Sequence, residues 1–139
     1  MKKRVKMLSP ADNEIAYNFA VLRVVPHVHT GGFAPVGVIV HARTSEFLDM
    51  RVITDKKELA NRAHGVDVAL LVKYLKSCKA ICQGDEKAGP IALAPPSERF
   101  HWLTSPRSDV IQCGPVHEGL TNDPALALDA LFQNMVAAR

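Results

Sequence analysis

The sequence predicts an α+β fold: an antiparallel sheet of about four to five strands, packed by one central and one C-terminal helix. Three observations carry this. Two apolar, β-branched segments lie near the start, and the second is joined to a third by a very short break. Residues 67–82 repeat apolar side chains at three- and four-residue spacing. Asp123-Pro124 then opens a second apolar helix at the end of the chain.

Residues 15–25 read as the first strand, rich in β-branched and aromatic residues and ended by Pro26. The odd positions Ile15, Tyr17, Phe19, Val21 and Val25 share one face, and Arg23 falls among them. Gly31-Gly32 marks the hinge of the following loop. Residues 36–43 read as a second strand, with Val36, Val38 and Val40 on one side and Gly37, Ile39 and His41 on the other. Thr44-Ser45 is a break too short for anything but antiparallel neighbours, so residues 46–53 complete a hairpin.

Asp55 with Glu58 three residues later forms a capping box and starts a short helix to about His64, interrupted by Gly65. In the central helix Leu71, Tyr74, Leu75, Cys78, Ile81 and Cys82 make one apolar face, with Gly84 as the stop. Residues 84–98, ending in Pro95-Pro96, read as a long loop with a short extended piece at Ile91 to Leu93. Phe100 to Leu103 read as extended, and Asp109 to Cys113 as a further strand ended by Gly114-Pro115. In the last helix Leu128, Leu131, Phe132, Met135 and Val136 form the buried side.

A chain of 139 residues fits one domain, expected over 1–139 with residues 1–10 as a flexible basic N-terminus. The net charge of +3 is a property of that tail. Lys2, Lys3, Arg4 and Lys6 lie in it, and the rest holds 13 basic against 14 acidic residues. A nucleic-acid binder needs a basic face on the fold itself, so nucleic acid is not an expected partner. Apolar runs are too short for a membrane span, and the start lacks a signal-peptide stretch, so a cytoplasmic protein is expected. Three cysteines do not make a disulfide framework.

Each candidate chemistry has a plainer rival. Cys78 and Cys82 share a helix face, but that face is the apolar one, so they read as buried free thiols. His27 and His29 are a close pair without evident further ligands. Cys113 with His117 and Glu118 would need spatial contact to act as nucleophile and base. Ser105 and Ser108 lack a nucleophile elbow, and no phosphate-cradling glycine motif is present. No metal and no cofactor are expected. Arg23, set on an apolar strand face, and Arg107, at a polar strand entrance, are the positions chosen for an anion-binding site, with His101 and Gln112 as added donors. Pairing of the arginines with a carboxylate such as Asp49 or Asp109 is the structural alternative.

The segment from Tyr17 to Val40, with Val21-Leu22-Arg23-Val24-Val25-Pro26 and Val36-Gly37-Val38-Ile39, resembles the bacterial domain-of-unknown-function family numbered 3037. So do Phe100 to Ser108, Val110-Ile111-Gln112, Pro115-Val116-His117, Gly119-Leu120-Thr121 and the Asp123-Pro124 helix. Residues 44–98 carry little of the resemblance. The family pattern has an acidic residue before an Asn-Val-Gly-type triplet in the first loop, where this chain holds Gly32 and Pro35. An activity resting on that acid and amide would be absent here. The resemblance implies a bacterial, cytoplasmic setting, sometimes beside kinases of the Hip-type persistence kind. It therefore implies a kinase-like partner and an accessory role, but no reaction.

The reading is a non-catalytic interaction or regulatory module that binds a protein partner or itself. Its rivals are an enzyme or binding protein for a phosphate-bearing small molecule, and a nucleic-acid accessory protein using the basic tail.

Overall fold

A computed structural model describes residues 13–25, 33–105 and 111–138. The basic tail, Pro26, the His27/His29 pair, the Gly31-Gly32 hinge, Arg107, Ser108 and Asp109 lie outside the described residues. The architecture is α+β, as the sequence predicts: a five-stranded antiparallel sheet with helices on both faces.

The strands are β1 (Ile15–Val24), β2 (Ala34–Ala42), β3 (Phe47–Val52), β4 (Ile111–Cys113) and β5 (His117–Thr121). The helices are α1 (Lys56–Arg62), α2 (Val68–Cys82), α3 (Pro96–Thr104) and α4 (Pro124–Phe132). The sheet runs β3-β2-β1. On the far side of β1, β4 pairs with Leu22–Val24 and β5 with Ile15–Phe19, all antiparallel. β2 is therefore internal, and Val36 to Ala42 are all buried. That is why its sequence is a nearly unbroken apolar run. The β2–β3 hairpin forms as expected, turning at Glu46 in the left-handed region (φ 54°).

Register fixes two faces. The inner face carries Ala20, Leu22 and Val24 of β1, Ile39 and His41 of β2, and Leu48 and Met50 of β3. Leu71, Leu75, Cys78, Ile81 and Cys82 of α2 and Phe100 and Leu103 of α3 complete the core on this side. The outer face carries Tyr17, Phe19, Val21 and Arg23 of β1, Val38 and Val40 of β2, and Asp49 and Arg51 of β3. There α4 covers β2 and β3 with Leu128 and Phe132, and a π-helical turn at Gln133–Ala137 adds Val136.

The caps predicted at Asp55 and Asp123 form, and Asp67 caps α2 in the same way. Asp55 Oδ1 accepts from Lys57 N at 2.8 Å, Asp67 Oδ1 from Ala69 N at 3.0 Å, and Asp123 Oδ1 from Ala125 N at 3.0 Å. Two expectations fail. Phe100 to Leu103 are helical, not extended, and belong to α3. The long loop over residues 84–98 contains 3₁₀ turns at Glu86–Ala88 and Pro90–Leu93 and the start of that helix. Pro96 sits in the first helical turn, where its missing N–H costs nothing, and Phe100 and Leu103 bury one side. A third difference concerns β1. Its most buried side chains are the even ones, because α2 and α3 stand on that face. No helix among the described residues is long and apolar enough to cross a membrane.

Candidate functional site

A broad cleft lies at the seam between the two faces, where β3 forms one edge of the sheet. Its volume is about 700 Å³, within the usual range for ligand sites. Val52, Ile53 and Thr54 form one wall; Val72, Leu75 and Ala80 of α2 face them; Phe132 and Ala137 close the outer side.

The backbone of β3 differs along its length. Ile53 N donates to Val36 O at 2.9 Å, so Ile53 turns toward β2. Antiparallel alternation then points the N–H and C=O of Val52 away from β2, into the cleft. The same alternation points Met50 outward, but both of its groups are occupied. Met50 N donates to Asp49 Oδ1 at 2.8 Å, and Met50 O accepts from Lys79 Nζ, which also pairs with Asp49 Oδ1 at 3.0 Å. A lysine from α2 thus plugs the edge at Met50, a usual defence against strand pairing, and leaves it open at Val52.

Charges around the cleft are mostly engaged. Arg62 ties three elements together: it donates to Val136 O at 2.7 Å and Pro35 O at 3.3 Å, and pairs with Glu58 at 3.5 Å. Arg51 pairs with Asp129 at 2.9 Å and lies over the Phe132 ring at 4.5 Å. Asp55 is used as the α1 cap. Lys76 lines the cleft and makes no ion pair among the described residues.

The positions chosen from sequence separate. Arg23 and Gln112 are register partners on β1 and β4. Arg23 is half-buried with its guanidinium 3.9 Å from the centre of the Phe33 ring. Its Nε has no hydrogen-bond partner among the described residues. A ladder irregularity falls between Leu22 and Arg23, opposite Pro35, where a residue without an N–H is tolerated. Asp49, one suggested partner, is taken by Lys79. His101 is exposed on α3, whose neighbour Phe100 stacks on inner-face His41, so the sheet lies between His101 and the outer-face Arg23. Arg107 lies outside the described residues, so the arginine pair stands as an expectation.

The thiols are not arranged for nucleophilic work. Burial, reinforced by the nearby Asp49 carboxylate, pushes the Cys82 thiol up to about 12. Cys113 Sγ donates to Leu103 O at 3.4 Å on the inner face, whereas the His117 ring packs against Phe19 at 5.3 Å on the outer face. The strands thus hold that cysteine and histidine on opposite sides. Among the described residues, no three His, Cys, Asp or Glu side chains gather where they could hold a metal ion.

The open Val52 position was missed from sequence, since edge position is a property of topology. A signal for the α2 wall did exist: Lys73, Lys76 and Lys79 recur every three residues without an acidic neighbour in that helix. Among known proteins, no curated protein and no solved structure matches the chain. A family model does, over residues 19–136, and the chain thereby belongs to the family described as "Protein of unknown function (DUF3037)".

Proposed function

We propose that this protein is a non-catalytic binding module whose cleft takes up an extended segment of a partner protein, which adds as a short strand at Val52. The observation that carries this is the unplugged edge of β3 running beside α2. Peptide recognition by strand addition needs three things: free edge N–H and C=O groups, an apolar wall for alternate side chains, and a helix or loop that closes the groove. Val52 supplies the first, Val72, Leu75 and Phe132 the second, and α2 the third. Binding is favoured over catalysis by the way the cleft's polar groups are used. Its carboxylates cap a helix or hold an arginine, and no histidine or cysteine lines it.

The test is a matched pair of variants. Ala80→Trp fills the cleft from α2; Leu120→Ser alters an exposed β5 position at the opposite edge of the sheet. A partner that co-purifies from the host is identified, remade and titrated against each. Affinity should fall at least about tenfold with Ala80→Trp, given the loss of most contacts in the groove, and stay unchanged with Leu120→Ser. Equal affinity for the wild type and Ala80→Trp, with both folded, would overturn the assignment. Saturable binding of a small molecule alone would favour a ligand pocket instead.

A further inference from the structure

We infer that the segment received in the cleft is acidic at one end, because the cleft opens into a lysine-lined saddle; this rests on the strand-addition reading above. The saddle is a second depression of about 430 Å³ that shares Lys76 and Ala80 with the cleft. Lys73 stands one turn before Lys76 on α2, and Lys87 comes from the 3₁₀ turn after the helix.

The local charge balance shows why this cluster calls for an anion. Each carboxylate bordering the cleft has a partner: Asp49 has Lys79, Glu58 has Arg62, Asp129 has Arg51, and Asp55 caps α1. The one acid in the saddle, Asp85, accepts from Lys87 N at 3.0 Å as the cap of its own turn. Lys73, Lys76 and Lys87 make no ion pair among the described residues. Like charges one helical turn apart repel, so Lys73 and Lys76 weaken α2 slightly unless an anion lies between them. A chain lying along Val52 and crossing Ala80 delivers its flanking residues to those ammonium groups. Lysine serves as a compact point charge and suits carboxylates on a flexible segment; the saddle has no arginine fork to grip a phosphate. Nor does it offer a base-stacking surface. Phe132 is the aromatic ring lining the cleft, and the Arg51 guanidinium covers it.

The experiment uses the full chain and three fluorescent peptides. All share six alternating valines and threonines; the tails are four glutamates, four serines or four lysines. Anisotropy titrations should give the order glutamate, serine, lysine, with about a tenfold advantage of glutamate over serine at low salt that shrinks as salt is added. Lys73→Glu, in the saddle and outside the cleft, should abolish that advantage while leaving the serine-tailed peptide unchanged. Ala80→Trp should remove binding of all three. Equal binding of the glutamate and serine peptides overturns the charge assignment and leaves the cleft standing. Failure of every peptide to bind overturns both. A single-stranded oligonucleotide that binds more tightly than the glutamate peptide, and is lost in Lys73→Glu, overturns the acidic-segment assignment in favour of nucleic acid.

Discussion

The two faces of the sheet are finished to different degrees. On the inner face, α2 and α3 seal Ala20, Leu22, Val24, Ile39 and Met50 at 3% exposure or less. On the outer face one nine-residue helix, α4, covers β2 and β3, while Tyr17, Val21 and Arg23 of β1 remain half-exposed. The closed face is filled by apolar side chains apart from His41, which stacks on Phe100. The less covered face and its seam with α2 hold the polar side chains that are not needed to seal a core. The cleft arises because α2 and α4 approach β3 from opposite sides and leave its last outward-facing backbone groups between them.

The largest expected effect tests whether one helix is enough to make the outer face a core. Phe132 is 8% exposed on α4 and lies beneath the Arg51 guanidinium. Phe132→Ala should cost about 3–5 kcal/mol, read as a lowered urea midpoint. A midpoint like the wild type's would mean that α4 is an accessory, and the contrast between the faces would collapse to a single covered face.

Next in size is Gly37→Ala on the inner face. A Cβ there would lie 2.7 Å from Val52 Cγ1 and 3.0 Å from Arg51 O, so β3 must shift or Val52 must leave its rotamer. A cost of about 1–3 kcal/mol is expected in chemical denaturation. The substitution also sharpens the comparison, because the strand it displaces carries the open Val52 groups. Peptide binding should fall along with stability.

Lys79→Met acts at the seam. It removes an ion pair whose side chains are 33% and 40% exposed, and leaves Met50 O without its lysine, for a net loss of about 1 kcal/mol. The more informative readout is association state. With the plug gone, two molecules can pair β3 edge to edge, and sedimentation should show concentration-dependent dimers absent from the wild type. A strictly monomeric variant would show that the lysine is not what keeps this edge unpaired.

These differences also explain what could be read from the sequence. Helix α1 was legible from its aspartate cap, α2 from its regular apolar stripe, and α4 from both signals together. The β2–β3 hairpin was legible because its break is so short. Helix α3 was hidden because Pro95-Pro96 reads as a loop, although Pro96 sits in the first turn. Strand β5 was hidden because Glu118, Gly119 and Leu120 on an exposed edge show no apolar alternation. Tyr17 lies across Gly119, where a Cβ would fall 2.5 Å from its ring, so the strand is held from its neighbour rather than by its own residues. On β1 the bulkier residues occupy the odd positions, which pointed to the less covered face. Burial followed the helices instead. Of the positions chosen for an anion-binding site, strand pairing brings Gln112 to Arg23, whereas α3, being helical, carries His101 to the other layer.

The smallest expected effect tests the closure of the inner face by pH. His41 is buried on the inner face, stacked on Phe100 at 5.2 Å. Burial, helped by the Arg43 charge, lowers its pKa below the ordinary 6.5. Between the lowered value and 6.5 the unfolded chain binds more protons at this position than the folded one. The stability contributed by a neutral His41 is therefore full above about pH 6.5 and is lost as pH falls through that window. Melting temperatures taken downward from neutral pH should fall for the wild type. The fall should be shallower for His41→Leu, which has no proton to gain at that site. Arg43→Gln should also make the fall shallower, since one of the two causes of the shift is gone. Parallel curves for the wild type and His41→Leu would mean that the inner face takes up the imidazolium without penalty, and that its closure is less complete than its burial implies.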